Sequence, residues 1–328
     1  MNRNNGRMKK RVLYGVFFLC LIPVLSVGQD YPTRPINLLI SVAPGGTRDS
    51  STRVLAGKAE KFLGQPFIMS NNGGGAGTVA LGIVAKEKPD GYHLICASSA
   101  SLILIPQTRT VPYKLGDFVL VMEFGAQQTG VVVKADAPWK TFKELVDYAK
   151  KNPKKIDYST SGVGTGAQIA MEYVAKQEGI QWTNVPYTGD APALAALLGG
   201  HISAVSSGST WIPHVQAGTL RLLASHSEKR MNMFPGVPTF KELGYDFTNE
   251  AMFVIAAPKG TPPSIVNKLD DAFRKAMDDP EFLAIMKKLE IEVIYRNATD
   301  LQKYLEREYA RLGNIIAELK IPKEPEKK

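Results

Sequence analysis

The chain has 328 residues, a formal charge of +9, four histidines and two cysteines, Cys20 and Cys96. There is no CxxC pair and no Cys/His cluster at ligand spacing, which argues against a structural metal or a disulfide scaffold. The length exceeds what one compact core holds, so two domains are expected.

Arg3, Arg7, Lys9, Lys10 and Arg11 form a basic start, followed by the apolar run Leu13 to Leu25 and the small residues Ser26 and Gly28. Those three parts make a secretory signal peptide over residues 1–28. The apolar run falls short of the roughly 20 residues that span a bilayer. Cys20 follows the large residues Phe18 and Leu19, which argues against a lipoprotein. Taking five basic residues from the +9 leaves +4 over residues 29–328. A charge that small is not the dense basic stripe of a nucleic-acid binder. The expectation is an exported, periplasmic, monomeric globular protein whose remaining thiol, Cys96, is a buried small hydrophobe.

From Ile36 the pattern is strand, Gly-rich turn, helix. INLLISVA ends at PGG; the helix TRVLAGKAEKFLG follows, with Asp49, Ser50 or Ser51 as its cap and Gly64 as its stop. PFIMS leads to the turn NNGGGAG, YHLICAS follows the turn signal PDG, and FVLVMEF lies near residue 120. The plan then repeats. VVVKA precedes the helix TFKELVDYAKKN, where Thr141 and Glu144 have capping-box spacing. IDYSTSG runs into GVGTG and a helix stopped at Gly179; WTNVPY, APALAALL, ISAVSSG and LRLLASH complete a second α/β unit. The C-terminal part is helical, with apolar stripes through Leu269 and Phe273 and through Leu301, Leu305 and Leu312. Such alternation predicts an α/β fold with mostly parallel sheets flanked by helices.

Two segments carry the chemistry: Ser41 to Asp49 (SVAPGGTRD) and Tyr158 to Gln168 (YSTSGVGTGAQ). Each follows a strand and opens a helix, where the first N–H groups lack internal partners and the helix dipole is positive. Glycine lets a ligand approach the backbone closely. A strand–Gly loop–helix is therefore an anion site, and in open α/β sheets ligands sit at the carboxyl ends of strands. Taken singly, either loop reads equally well as a tight turn with a Ser/Thr/Asp cap. One loop per domain favours a cleft.

Dinucleotide binding is rejected. Gly75, Gly77 and Ala80, and Gly162, Gly164 and Ala167, fit G-x-G-x-x-A, but no acid closes the following strand to hold a ribose. Catalysis finds no support, since G-x-S-x-G, H-E-x-x-H and S-x-x-K are all missing from the chain. The tryptophans Trp139, Trp182 and Trp211 read as core.

The ordered motifs Y-P-T-R-P-I at Tyr31, A-P-G-G-x-x-D at Ala43, L-G-Q-P at Leu63, N-x-x-G-x-x-G at Asn71 and P-D-G-Y at Pro89 resemble one known family. S-G-V-G at Ser161, V-P-Y at Val185, A-P-A-L-x-x-L-L-G-G at Ala191, H-x-x-A-G-x-L-R at His214 and V-P-T-F-x-E-L-G at Val237 continue the match. The chain is similar to the solute-binding receptors of tripartite tricarboxylate transporters, the Bug receptors. That resemblance implies a two-lobed type II periplasmic-binding-protein fold. Lobe 1 would comprise residues 29–127 and 246–328, and lobe 2 residues 128–245, with the ligand cleft between them. It implies capture of a small organic carboxylate for the transporter's membrane subunits, without cofactor, metal, nucleic acid or turnover. The opposed pincers would be Pro44, Gly45, Gly46, Thr47, Arg48 and Asp49, and Ser161, Gly162, Val163, Gly164, Thr165 and Gly166. Ser98, Tyr187, Asp190 and Ser207 would complete the ligand site.

The chain departs from the family's usual residues at Arg48, where a small residue is common, and at Asn72, Gln168, Thr188 and Asp190. Serine stands where the family often has acids, on the strand near Ser203 and at Ser207. Arg48 either turns inward to pair with a carboxylate or outward as an ordinary helix-start residue. A sensory co-receptor on the same fold and, from another class, a secreted hydrolase are the competing functions.

Overall fold

The computed structural model describes Met1 and residues 31–323, except Val163, Pro186 and Thr188. The fold is that of the unit that starts at Pro32. The leader read in residues 1–28 lies, Met1 apart, outside the described residues.

In chain order the first elements are β1 (Ile36–Ile40), α1 (Thr47–Leu63), β2 (Phe67–Asn71), α2 (Thr78–Val84), β3 (His93–Ser98), α3 (Ile105–Thr108) and β4 (Phe118–Gln127). Next come β5 (Thr129–Lys134), α4 (Phe142–Lys151), β6 (Asp157–Ser159), α5 (Gly166–Glu178), β7 (Thr183–Asn184), α6 (Asp190–Leu198), β8 (Ala204–Gly208), α7 (Ile212–Gln216) and β9 (Leu220–Ser225). The last are β10 (Ala251–Pro258), α8 (Pro263–Met277), α9 (Pro280–Lys288), β11 (Ile291–Glu292), β12 (Arg296–Asn297) and α10 (Ala298–Glu318).

Two sheets result. One has the order β11-β4-β10-β3-β1-β2, with β12 also on β4; the other runs β7-β6-β8-β5-β9. In the first, β1 pairs in parallel with β2 and β3, and β10 runs antiparallel between β3 and β4. In the second, β6 is parallel to β7 and β8, while β5 is antiparallel to β8 and β9. Each parallel half is thus completed by strands that bring the chain from the other sheet, and returning strands run antiparallel. Only Gln128 separates β4 from β5; the return, from Ser225 to Ala251, is longer.

The apolar runs bury as their periodicity requires. Ile36, Leu38 and Ile40 of β1 are fully buried, as are Val254, Ile255 and Ala256 of β10, which is covered on both faces. Val266, Leu269 and Phe273 bury one face of α8, and Leu301, Leu305 and Leu312 one face of α10. Gly64 and Gly179 stop α1 and α5 in the left-handed conformation, φ 71° and 65°. Thr141 caps α4 by accepting from Glu144 N at 3.2 Å, but the Glu144 carboxylate reaches Lys140 N, one residue outside the expected box. Trp211 is buried, and Trp139 stacks edge-on against Tyr148.

One helix start differs from expectation. α1 begins at Thr47 with Gly46 as its extended N-cap residue, so Asp49, Ser50 and Ser51 lie inside the first two turns and cap nothing. The Asp49 carboxylate is instead held by the loop residue Gly45, by Asn71 of β2 and by Arg53 one turn on in the same helix.

Candidate functional site

The first loop, Ser41 to Gly46, leaves β1 and enters α1. Its shape is fixed by Asp49, which is almost completely buried. Asp49 Oδ2 accepts from Gly45 N at 2.8 Å, and Oδ1 accepts from Arg53 Nε and Asn71 Nδ2, both at 2.8 Å. Asn71 Nδ2 also reaches Val42 O, and Arg53 Nη2 donates to Asn71 Oδ1 at 2.6 Å, closing the network. Burial works against the Asp49 charge, but the Gly45 and Asn71 hydrogen bonds and the Arg53 charge outweigh it and hold the carboxyl below its ordinary pKa. Gly45, at φ +85°, supplies the left-handed turn that presents its N–H to Asp49.

The glycine turn after β2 supports this loop from behind. A Cβ at Gly73 would stand 2.9 Å from Ala43 N, and one at Gly77 2.8 Å from Ser41 O. The first of the two G-x-G-x-x-A matches, at Gly75, Gly77 and Ala80, is therefore a close backbone contact between two turns.

The second loop, Ser161 to Thr165, leaves β6 and enters α5. Thr160 Oγ1 and Thr165 Oγ1 both donate to Gly162 O, at 2.9 and 3.0 Å. Thr165 caps α5 through Gln168 N, and Gln168 Oε1 accepts from Gly164 N at 2.7 Å. Val163 lies outside the described residues. Ser161 O accepts from Gly189 N, and its hydroxyl donates to Asp190. Burial raises the Asp190 pKa against the hydrogen bonds from Gly208 and Ser161.

One segment touches both helix starts. Asn249 lies on the return from β9 to β10, and a Cβ on Gly166, the first residue of α5, would fall 2.1 Å from Asn249 Oδ1. Four residues on, the Phe253 ring lies 5.2 Å below the Arg48 guanidinium of α1. Extended chain rises about 3.3 Å per residue, so the two helix starts meet this strand about 13 Å apart. The crossing is anchored by backbone: Asn249 N donates to His226 O, His226 N to Thr129 O, and Thr129 Oγ1 to Asn249 O at 2.6 Å. Beside it, Gln127 at the end of β4 donates to Ser209 Oγ at 3.1 Å and lies with Asp190 around Gly208.

The structure thus brings the Pro44–Asp49 and Ser161–Gly166 segments to a common crossing strand. Pro44 and Gly45 are exposed, and Thr47 and Arg48 half-buried in the first turn of α1. Ser98 closes β3 opposite Phe253, but its hydroxyl is engaged with Ser101 Oγ at 2.7 Å. Ser207 is fully buried in β8, with its hydroxyl on Gly208 O, and Tyr187 is half-buried, its N–H on Thr160 O. Neither Asn249, Phe253 nor Gln127 was signalled by a motif. The only cue was a polar pair, Asn249-Glu250, at the mouth of an apolar strand.

Two α/β sheets joined by crossing strands, with a glycine loop and helix N-terminus from each at the crossing, define the class of two-lobed solute-binding receptors. The chain belongs to the tripartite tricarboxylate transporter family receptors, whose family model matches residues 51–321. It is 37% identical over 306 residues to a Cupriavidus necator protein described as the UPF0065 protein in gbd 5'region, covering 93% of each chain. A TctC solute-binding protein from Polaromonas, solved without ligand, superposes with a TM-score of 0.81 at 29% identity, over 88% of this chain and 99% of that one. An R. palustris protein solved with adipate gives a TM-score of 0.71 at 27% identity, over 90% and 100%.

Proposed function

We propose that this receptor captures a small organic carboxylate between the two loops and presents it to the membrane subunits of a tripartite transporter. The observation that carries this reading is the paired loop–helix starts, one per sheet, on one crossing strand. Each offers N–H groups of a first helical turn at a positive dipole end, which favours an anion by roughly 0.3–1 kcal/mol when exposed and more when water is excluded. The adipate in the R. palustris relative supports the same ligand class.

In this reading residues 1–28 are removed on export to the periplasm, and the mature protein acts as a monomer without turnover. The lobes are residues 29–127 with 246–328, and residues 128–245. The chain's passage between sheets at Gln128 and again between Ser225 and Ala251 supports that division. Pro44 to Thr47 and Ser161 to Gly166 hold the carboxylate chiefly through backbone. Asp49 holds the first loop in shape.

The test is calorimetric titration of residues 29–328, refolded from denaturant to remove retained ligand, with mono-, di- and tricarboxylates and amino acids. Saturable binding of one or a few acids, with a matching rise in Tm, is expected. Folded protein that binds no organic acid in the panel would overturn the carboxylate assignment.

A further inference from the structure

Arg48 is placed as few unpaired arginines are. It lies in the first turn of α1, where the dipole is positive and a cation is disfavoured. Helical side chains lean toward the helix N-terminus, so the Arg48 side chain extends past the start of α1. There its guanidinium lies over the Phe253 ring, at the end of β10 nearest Asn249. Its Nε is buried without a hydrogen-bond partner, and no carboxylate pairs with it among the described residues. The nearest acid in sequence, Asp49, is taken up by Gly45, Asn71 and Arg53. Burial depresses the guanidinium's pKa, opposed by the neighbouring Cys96 thiol. A half-buried cation whose Nε–H is buried and unbonded, at a helix N-terminus, is costly until an anion joins it.

We infer that Arg48 is the specificity-determining counter-ion of the ligand, pairing with a second carboxylate while the loop N–H groups hold the first. This rests on the receptor reading above. The planar guanidinium suits a bidentate carboxylate, and the fully buried Phe253 ring beneath it backs the guanidinium. The chain therefore selects dicarboxylates over monocarboxylates of equal length.

The experiment compares wild type, Arg48→Gln and Arg48→Lys, each as residues 29–328, titrated with α,ω-dicarboxylates of four to six carbons and the matching monocarboxylates. Wild type is expected to prefer the dicarboxylate. Arg48→Gln is expected to lose that affinity by about 10- to 100-fold while changing monocarboxylate affinity less than about 3-fold. Arg48→Lys, with charge but no fork, falls between. Ligand-free Arg48→Gln should melt at or above the wild-type temperature, whereas an arginine serving only to pack the helix would leave the variant less stable.

Equal losses for both ligand classes, or a wild-type preference for monocarboxylates, would overturn the inference and leave the receptor reading intact. Wild-type protein that binds no acid at all would overturn both.

Discussion

His226 should make the protein lose stability in mild acid. The side chain follows β9 at the crossing, is fully buried, and neither ring nitrogen has a hydrogen-bond partner. Its ring packs edge-on to Phe240 at 4.6 Å and Phe247 at 6.4 Å. Burial among these rings pushes its pKa down from 6.5 to about 3. The imidazole is therefore neutral in the fold throughout the working range. The unfolded chain takes up a proton below about pH 6.5 and the folded chain does not, so stability falls as pH drops through 6.5 toward 3. From pH 8 to pH 5 the unfolded state gains about 1.5 pH units of protonation, worth about 2 kcal/mol. His226→Phe keeps the ring shape, removes two unsatisfied nitrogens and abolishes that term. Urea denaturation of both proteins at pH 8 and pH 5 measures it: the wild type should lose about 2 kcal/mol more than the variant between the two pH values. Equal losses would show that His226 is protonated in the fold or finds a partner, and the reasoning from burial would fail.

Two further outcomes follow from the loops and the core. Gly73→Ala should cost about 1–3 kcal/mol and weaken acid binding, because the new methyl presses on Ala43 N at a residue whose φ of −89° any amino acid tolerates; unchanged melting and affinity would remove the support assigned to this turn. Cys96, buried and with its thiol pushed up to about 11 by burial, should react with iodoacetamide at pH 8 on the order of 100-fold more slowly in native than in denatured protein, followed by mass spectrometry.

Much of the fold was legible because its signals are local. Gly64 and Gly179 stop helices where left-handed backbone is needed, and the two strand–glycine–helix segments are contiguous in sequence. The start of α1 was not legible. Asp49 sits where a cap would, yet its carboxylate is captured by Asn71, 22 residues away, and by Arg53. The floor of the site was hidden for the same reason. Asn249 meets Gly166, and Phe253 meets Arg48, across over 80 and over 200 residues of chain, and no periodicity encodes such meetings. The direction of Arg48 was likewise open in the sequence, because the Phe253 ring its guanidinium lies over is more than 200 residues away.

The order of strands also bears on how the chain reaches this state. The sheet from β5 to β9 is complete once residue 225 has been made, since all five strands come from Thr129–Ser225. The other sheet is split: β10 lies at its middle, between β3 and β4, and arrives after them. Until residue 258 emerges, β3 and β4 each carry an open edge facing the gap that β10 will fill, and open edges recruit foreign strands. Assembly is therefore inside-out with respect to sequence, the inserted sheet maturing before the one that encloses it in the chain. A truncation just before Ala251 would spare the second sheet and leave the first an aggregation-prone pair of fragments.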